Sequence, residues 1–353
     1  MFNLDKLIRP NIKVLTPYSS ARDEFKGEAS VFLDANENAL GSPMLKWYNR
    51  YPDPLQHKLK EKLSDIKNIA ADKIFIGNGS DECIDLLYRA FCEPGKDNVI
   101  ITPPTYGMYE VSANINNVEI RKAPLLEDYQ LNLAYIEQLV DENTKIIWLC
   151  SPNNPTGNSL NKNDVAMILN NFDGLVVVDE AYINFSRQKS FMSSLEEYPN
   201  LVIMQTLSKA WGLAGLRLGM AFASKEIIDI YNKIKAPYNI GQHTQEIVLK
   251  ALDNYGQVND MIKLIVDMRD ALAEVFKQMP IVQNVYPSDA NFLLVKIIEA
   301  RKVYDYLLEK GIVVRDRSNV VFCEDCLRIT VGTEEENTKL VDALANYMEK
   351  ITN

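Results

Sequence analysis

The stretch KIIWLCSPNNPTGNSLNKNDVAMILNNFDGLVVVDEAYINF, residues 145–185, decides the fold class. Lys145–Leu149 is a short apolar run of the length of a strand buried on both faces. SPNNPTG follows at once, and its prolines and glycine enforce a turn. Asn161–Asn171 is patterned as a helix, and Leu175–Asp179 is a second continuous apolar run that ends in a carboxylate. Strand, turn, helix and strand in this order make a parallel βαβ unit.

Outward from this unit the same alternation runs from about Asp72 to Ala223. Further strands are expected at Lys73–Gly77, Val99–Thr102, Val118–Lys122, Val202–Thr206 and Gly219–Ala223, with helices at Asp81–Phe91 and Leu133–Val140. The whole is an α/β domain around one mostly parallel seven-stranded sheet flanked by helices. Beyond it Lys225–Asn254 reads as helical. Val258–Met279 reads as a long amphipathic helix with Leu264, Met268, Leu272 and Phe276 on one face. Strands at Asn291–Lys296 and Leu327–Val331 and a closing helix at Glu334–Lys350 complete a smaller α+β domain. The polar first residues, with Pro10 and Pro17, read as an arm. The expected division is an arm, 1–28, a large domain, 29–245, and a small domain, 246–353.

The 353 residues carry a formal net charge of -10, with 47% hydrophobic and 24% charged residues, ordinary values for a globular protein. The acidic balance argues against a nucleic-acid partner. Anionic ligands must therefore be met by a few local cations and backbone N–H groups. MFNLDKLIRP has no apolar core of a signal peptide, and no apolar run is long enough to span a membrane, so a cytoplasmic location is the default. Cys323 and Cys326 form a lone CxxC, and the only histidines are His57 and His243. That donor set is too poor for a zinc site or a serine–histidine triad, so no metal is expected and the cysteine pair reads as structural or incidental.

Five segments at strand-to-loop junctions carry chemistry. In TLSKAWGLAGLRLG, Thr206–Gly219, Lys209 follows a strand directly; alone it reads equally well as a solvated loop lysine. Asp179 ends a buried strand, where it is either a helix cap or the partner of a buried cation, and Tyr182 follows three residues later. SPNNPTG is an ordinary turn or a means of aiming Asn153 or Asn154 at a ligand. GNGSDE, Gly77–Glu82, is a helix cap or a phosphate cradle. PPTYGMY, Pro103–Tyr109, offers Tyr106 as a flat stacking face. In an open α/β sheet these strand ends share one crevice. Together they supply an amine, an acid for a ring nitrogen, donors for a ring oxygen, a stacking face and a phosphate cup. These are the needs of pyridoxal 5′-phosphate (PLP).

With these motifs the chain resembles the fold type I PLP-dependent aminotransferases over nearly its whole length. Finer features resemble the histidinol-phosphate aminotransferase family. They are RPNIKVLTPYSSAR (Arg9–Arg22), LDANEN (Leu33–Asn38), NRYPDP (Asn49–Pro54), GNGSDE, CEPGKDNVI (Cys92–Ile100), PPTYGMY, GIVVRDRS (Gly311–Ser318) and CLRITVGT (Cys326–Thr333). The resemblance implies that Lys209 is the Schiff-base lysine and acid–base group, and that Asp179 pairs with the ring nitrogen. It implies that Asn154 and Tyr182 contact the ring oxygen and that Tyr106 stacks on the ring. Gly79, Ser80, Asp81, Thr206, Ser208 and Arg217 would bind the cofactor phosphate, joined by Tyr51 from the partner subunit of a homodimer. Tyr18, Asn36, Asn154, Arg315 and Arg328 match substrate-contacting positions. Arginine suits both anions, the carboxylate of glutamate and the phosphate of histidinol phosphate. The implied reaction is ping-pong amino transfer from L-histidinol phosphate to 2-oxoglutarate in histidine biosynthesis. Close alternatives are a threonine-phosphate decarboxylase and an aromatic amino acid aminotransferase. The chain departs from the pattern at NENALG, Asn36–Gly41, where relatives often read NENPYG, and at Trp211, where phenylalanine is frequent.

Overall fold

A computed structural model describes residues 2–18, 31 and 33–352. The first sheet contains β1 (Ile74–Asn78), β2 (Asn98–Ile101), β3 (Glu119–Lys122), β4 (Thr144–Cys150), β5 (Leu175–Asp179), β6 (Leu201–Thr206) and β7 (Leu218–Phe222). Their order is β1-β7-β6-β5-β4-β2-β3. All pairs are parallel except those of β7, which runs against both β1 and β6. The seven expected strands are all present, β5 with the expected ends and β7 displaced by one residue.

Strand side chains alternate between faces, and the core divides accordingly. Ile147, Leu149, Val176, Val178 and Ile203 join one hydrophobic cluster. Ile146, Trp148, Leu175, Val177 and Met204 join the cluster on the other face. Both faces are buried, which is why these strands read as continuous apolar runs rather than alternating ones. Each such Val, Leu or Ile contributes about 1.5–3 kcal/mol by leaving water.

The second sheet is antiparallel, in the order β10-β11-β9-β8, from β8 (Val282–Val285), β9 (Phe292–Ile297), β10 (Arg315–Asp316) and β11 (Cys326–Thr330). Leu293, Val295 and Ile297 face a third cluster with Val303, Leu307 and Leu344 of the covering helices. Phe292 and Leu294 face the other way, into the first cluster. The two sheets are thereby joined through one shared core.

Two helical expectations differ from the structure. The span 225–254 is broken into Lys225–Ile234 and Gln242–Leu252. Pro237 has no N–H to continue the first helix, and Gly241 caps the second. In the long helix, Tyr255–Lys277, the inward stripe is Val258, Ile262, Ile265, Arg269, Leu272 and Phe276. Leu264 is instead 58% exposed. Steps of four residues drift by about 40° each on a helix, so a run of them leaves the face that alternating three and four steps hold. Arg269 is tolerated in the stripe because its Nη1 donates to the Ala290 and Phe185 carbonyls (3.1 and 3.4 Å) and its Nε to Asp270 (3.0 Å).

At the N-terminus, Leu4, Leu7, Ile8 and Ile12 pack against the second cluster, and Arg9 N donates to Ala90 O (3.0 Å). Residues 19–28 of the expected arm lie outside the described residues. Among the described residues, no helix is long and apolar enough to cross a membrane.

Candidate active site

The strand order reverses between β2 and β4: the chain leads from β2 outward to β3, and from β4 the other way to β5 and β6. Loops leaving such a point part and leave a crevice at the carboxyl ends. The two loops are tied at its floor. Thr105 Oγ1 donates to Asn153 Oδ1 (3.2 Å), and Asn153 Nδ2 donates to Pro104 O (2.8 Å). A cavity of about 630 Å³ opens here, lined from both sheets.

Asp179 ends β5, 3% exposed. Its Oδ2 accepts from Tyr109 OH (2.7 Å) and its Oδ1 from Ala181 N (3.1 Å). The second bond is a local turn contact and not a helix cap, since the next helical turn begins only at Ile183 with Tyr182 before it; the first is a buried tertiary contact. Burial pushes the Asp179 carboxyl above its usual range, with Tyr109 and Ala181 opposing the shift. The carboxylate has donors but, among the described residues, no cation bonded to it. Glu180, next in sequence, points to the opposite face. It accepts from Ser190 Oγ (2.6 Å), Phe191 N (2.7 Å) and Gln205 Nε2 (2.9 Å), while Gln205 Oε1 accepts from Lys67 Nζ (2.8 Å). The strand end is thus pinned from both faces.

Lys209 follows β6 and opens into the cavity. Its Nζ lies 5.6 Å from the Tyr182 ring centroid and donates to no acceptor among the described residues. Burial and the charge of Arg328 lower its pKa, against the pull of Asp179. Asn154 Nδ2 donates to Tyr182 OH (3.4 Å), and Arg328 Nη1 donates to Asn154 Oδ1. Tyr106 OH donates to Asp81 Oδ1 (3.2 Å), and its ring stands edge-on to Tyr109 (5.6 Å, 85°).

Ser80 and Asp81 occupy the first turn of helix Gly79–Phe91, whose leading N–H groups have no acceptor within the helix. Gly79 has φ +74°, and a Cβ there would stand 2.7 Å from Arg217 Nη2. A Cβ on Gly219 would fall 2.2 Å from Ser80 N. Gly219 thus lets the backbone of β7 press against that of Gly79 and Ser80, and Gly79 leaves room for the Arg217 guanidinium. Gly79 N donates to Arg217 O (2.7 Å), Arg217 Nη2 to Asp81 Oδ2 (3.3 Å), and Ser208 N to Thr206 Oγ1 (3.1 Å).

Twelve of the sequence-derived site residues line this one cavity: Ser80, Asp81, Tyr106, Asn154, Asp179, Tyr182, Thr206, Ser208, Lys209, Arg217, Arg315 and Arg328. Gly79 shapes it from behind. Tyr51 does not line it in a single chain; it stacks on Tyr238 (4.4 Å, 16°). Tyr18, 70% exposed, and Asn36, at φ +53°, also stand apart from it. Sequence reading missed Tyr109, although PPTYGMY contains it, and Arg317, although GIVVRDRS contains it. The Cys323 and Cys326 thiols are buried and unpaired, pushed up to about 11 and about 12 by burial.

The cavity fits PLP. The cup suits a phosphate at a helix N-terminus, the buried Asp179 suits a protonated ring nitrogen, and the unbonded Lys209 amine suits an aldehyde. The Aminotransferase class I and II family model matches residues 33–344. A histidinol-phosphate aminotransferase of Cytophaga hutchinsonii is 56% identical over 98% of this chain and 99% of its own. Among solved structures, the histidinol-phosphate aminotransferase of Sinorhizobium meliloti in complex with PLP superposes with a TM-score of 0.79 at 23% identity, over 86% of this chain and 83% of that one. An L-threonine-O-3-phosphate decarboxylase of Porphyromonas gingivalis superposes at 0.73 and 23% identity, over 86% and 91%. At such identities the two structures speak for the fold alone.

Proposed function

The chain belongs to the class I and II aminotransferase family, and from that premise we propose that it is a PLP-dependent aminotransferase that moves the amino group of L-histidinol phosphate to 2-oxoglutarate. The products are imidazole acetol phosphate and L-glutamate, and the setting is histidine biosynthesis. The single observation that carries the choice of amine is identity above half to histidinol-phosphate aminotransferases over 98% of the chain. The fold-level likeness to a decarboxylase gives no comparable support.

When bound, the cofactor supplies an aldehyde for the amino group and a ring that takes up electron density. In this reading Asp179 holds positive charge on the ring nitrogen; the Tyr109 and Ala181 donors fix its orientation. Asn154 and Tyr182 present donors to the ring oxygen, and Tyr106 covers a face. Ser80, Asp81, Thr206, Ser208 and Arg217 hold the phosphate, with Gly79 giving the backbone room. Burial lowers the pKa of the Lys209 amine, which favours its neutral, basic form relative to an exposed lysine. This amine takes the proton from substrate Cα and returns it. Arg328, held by Asn154, meets the substrate anion with Arg315. Donor and acceptor use the same pocket in turn, so its cationic end serves a phosphate and a carboxylate alternately.

A homodimer is part of the proposal. Leu40 and Trp47 are 90% and 61% exposed in the single chain; such apolar surface favours burial against a second copy. That copy is expected to bring Tyr51, and with it Tyr18 and Asn36, to the neighbouring cavity. Unpaired cysteines suit a cytoplasmic location. The division at residues 28 and 245 is likewise part of the proposal; the third hydrophobic cluster, drawn from residues 272–347, supports a separate C-terminal unit without fixing either boundary. The test is a half-reaction screen on holoenzyme. Histidinol phosphate is expected to convert the cofactor spectrum to its amine form, and 2-oxoglutarate to restore it. No conversion, or carbon dioxide release from threonine phosphate, would overturn the reading.

A further inference from the structure

Arg315 lies directly opposite Arg328 across the β10–β11 pair, and Arg317 N donates to Cys326 O (2.8 Å), continuing the ladder two residues on. Directly opposed residues share a sheet face, and so do residues two apart on a strand. Arg315, Arg317 and Arg328 therefore stand on one face. Cys326, a member of the first hydrophobic cluster, identifies it as the face turned toward the large sheet. Asp316 takes the other face, where it meets Arg301 (3.6 Å). All three arginines line the active-site cavity.

Three like charges on neighbouring positions repel one another, and none of the three forms an ion pair with a carboxylate among the described residues; Asp316, turned to the other face, offsets the charge of Arg317 only in part. Arg328 has the neutral Asn154 amide as acceptor. Arg317 Nε is buried with no acceptor among the described residues. Burial and the charge of Arg315 both disfavour its cation. A guanidinium kept in this position is matched to an anion that enters the cavity.

The two substrates differ in how they carry charge. A phosphate monoester gathers nearly two negative charges and three acceptor oxygens on one phosphorus. Glutamate divides its two charges between separate carboxylates with two oxygens each. Arg315 and Arg328 give each carboxylate one guanidinium, so a third is surplus for glutamate and suited to the third oxygen of a phosphate. We propose that Arg317 is a specificity-determining residue that engages the phosphate of the amine substrate and is dispensable for glutamate. This rests on the aminotransferase reading above.

The experiment uses Arg317→Met and Arg317→Lys holoenzymes, each measured in single-turnover half-reactions with histidinol phosphate, histidinol and glutamate. Arg317→Met is expected to lower the histidinol phosphate rate constant per unit concentration about ten- to a hundredfold, the range for one hydrogen bond to a charged group, with under about threefold change for histidinol or glutamate. Arg317→Lys, which keeps the charge and loses the planar fork, should fall between. Because the three rates come from one preparation, their ratio is independent of the fraction folded; a purely structural role would lower all three together. An unchanged ratio, or an equal loss with glutamate, overturns the proposal for Arg317. Failure of the unsubstituted enzyme to react with histidinol phosphate overturns the substrate reading itself, and the proposal with it.

Discussion

Replacing Asp179 with Asn should act in opposite directions on the empty and the cofactor-loaded protein. In the empty chain the carboxylate is buried with two donors and no bonded cation among the described residues, and its pKa is raised. The folded chain then holds the proton more tightly than the unfolded chain. Stability therefore falls as pH rises from the ordinary carboxylate value of about 4 through the raised value, and the whole penalty is present only above that raised value. Asparagine has the same shape. Its oxygen accepts from Ala181 N and its amide donates to the Tyr109 hydroxyl oxygen. The exchange loses part of two charge-assisted bonds, about 1–2 kcal/mol each, and removes a desolvation penalty of several kcal/mol. The apoprotein should be unchanged or up to about 2 kcal/mol more stable at pH 8, the net of those two effects. In the loaded protein the ring cation loses its partner. Breaking one side of a buried pair costs about 3–5 kcal/mol, or roughly two to four decades of affinity. Denaturant unfolding of apoprotein and spectroscopic titration with PLP measure the two effects separately. An apoprotein destabilised by more than about 2 kcal/mol, with cofactor affinity intact, would refute the reasoning and leave Asp179 as a structural turn residue.

Lys209→Ala should abolish covalent cofactor capture and amino transfer while leaving apoprotein stability within about 0.5 kcal/mol, because the amine bonds nothing in the fold; residual transamination would sink the assignment. In the unsubstituted apoprotein the lowered pKa of Lys209 means that the rate of PLP capture rises with pH and levels off below the ordinary lysine value of 10.5, and a midpoint at or above it contradicts the desolvated site. Gly219→Ala places a methyl 2.2 Å from the Ser80 nitrogen. Backbone must shift, so a loss of about 1–3 kcal/mol in unfolding free energy is expected, together with weaker cofactor binding, and unaltered binding would show that the cup is not held by this contact. Arg328→Ala should slow both half-reactions by about a hundredfold, the scale of one charge-assisted bidentate contact; an effect on glutamate alone would mean that Arg315 and Arg317 hold the phosphate without it.

What was legible in the sequence follows from how local each signal is. β5 is readable to the residue because LVVVD is flanked by Gly174 and Glu180 and buried on both faces. Lys209, Asp179 and Asn154 sit within a few residues of strand ends, so finding the strands finds them. The break between Ile234 and Gln242 was signalled by Pro237 and Gly241, and the continuous helix expected there gave those punctuators too little weight. Other features are not local. β10 is two residues long, and its partner β11 lies across a loop, so the common face of Arg315, Arg317 and Arg328 exists only once the register is set. Which tyrosine of PPTYGMY meets Asp179 depends on where helix Met108–Ile115 begins. Arg269 looks polar in sequence and is a core residue only because carbonyls of Phe185 and Ala290 meet it.

The cavity is shared between two sheets that are not hydrogen-bonded to each other strand to strand. Groups suited to the cofactor hang from the ends of β1, β4, β5 and β6, deep in the layered core. The anion grip is split: Arg328 sits on the interior strand β11, while Arg315 lies on, and Arg317 just beyond, β10, a two-residue edge strand paired on one side only. Descent with modification therefore meets two very different degrees of constraint within one pocket. Substitutions at 311–318 can redirect the enzyme to another charged amine without disturbing the strands that position Lys209 and Asp179. A lineage built on this scaffold can keep its chemistry while its diet of substrates drifts.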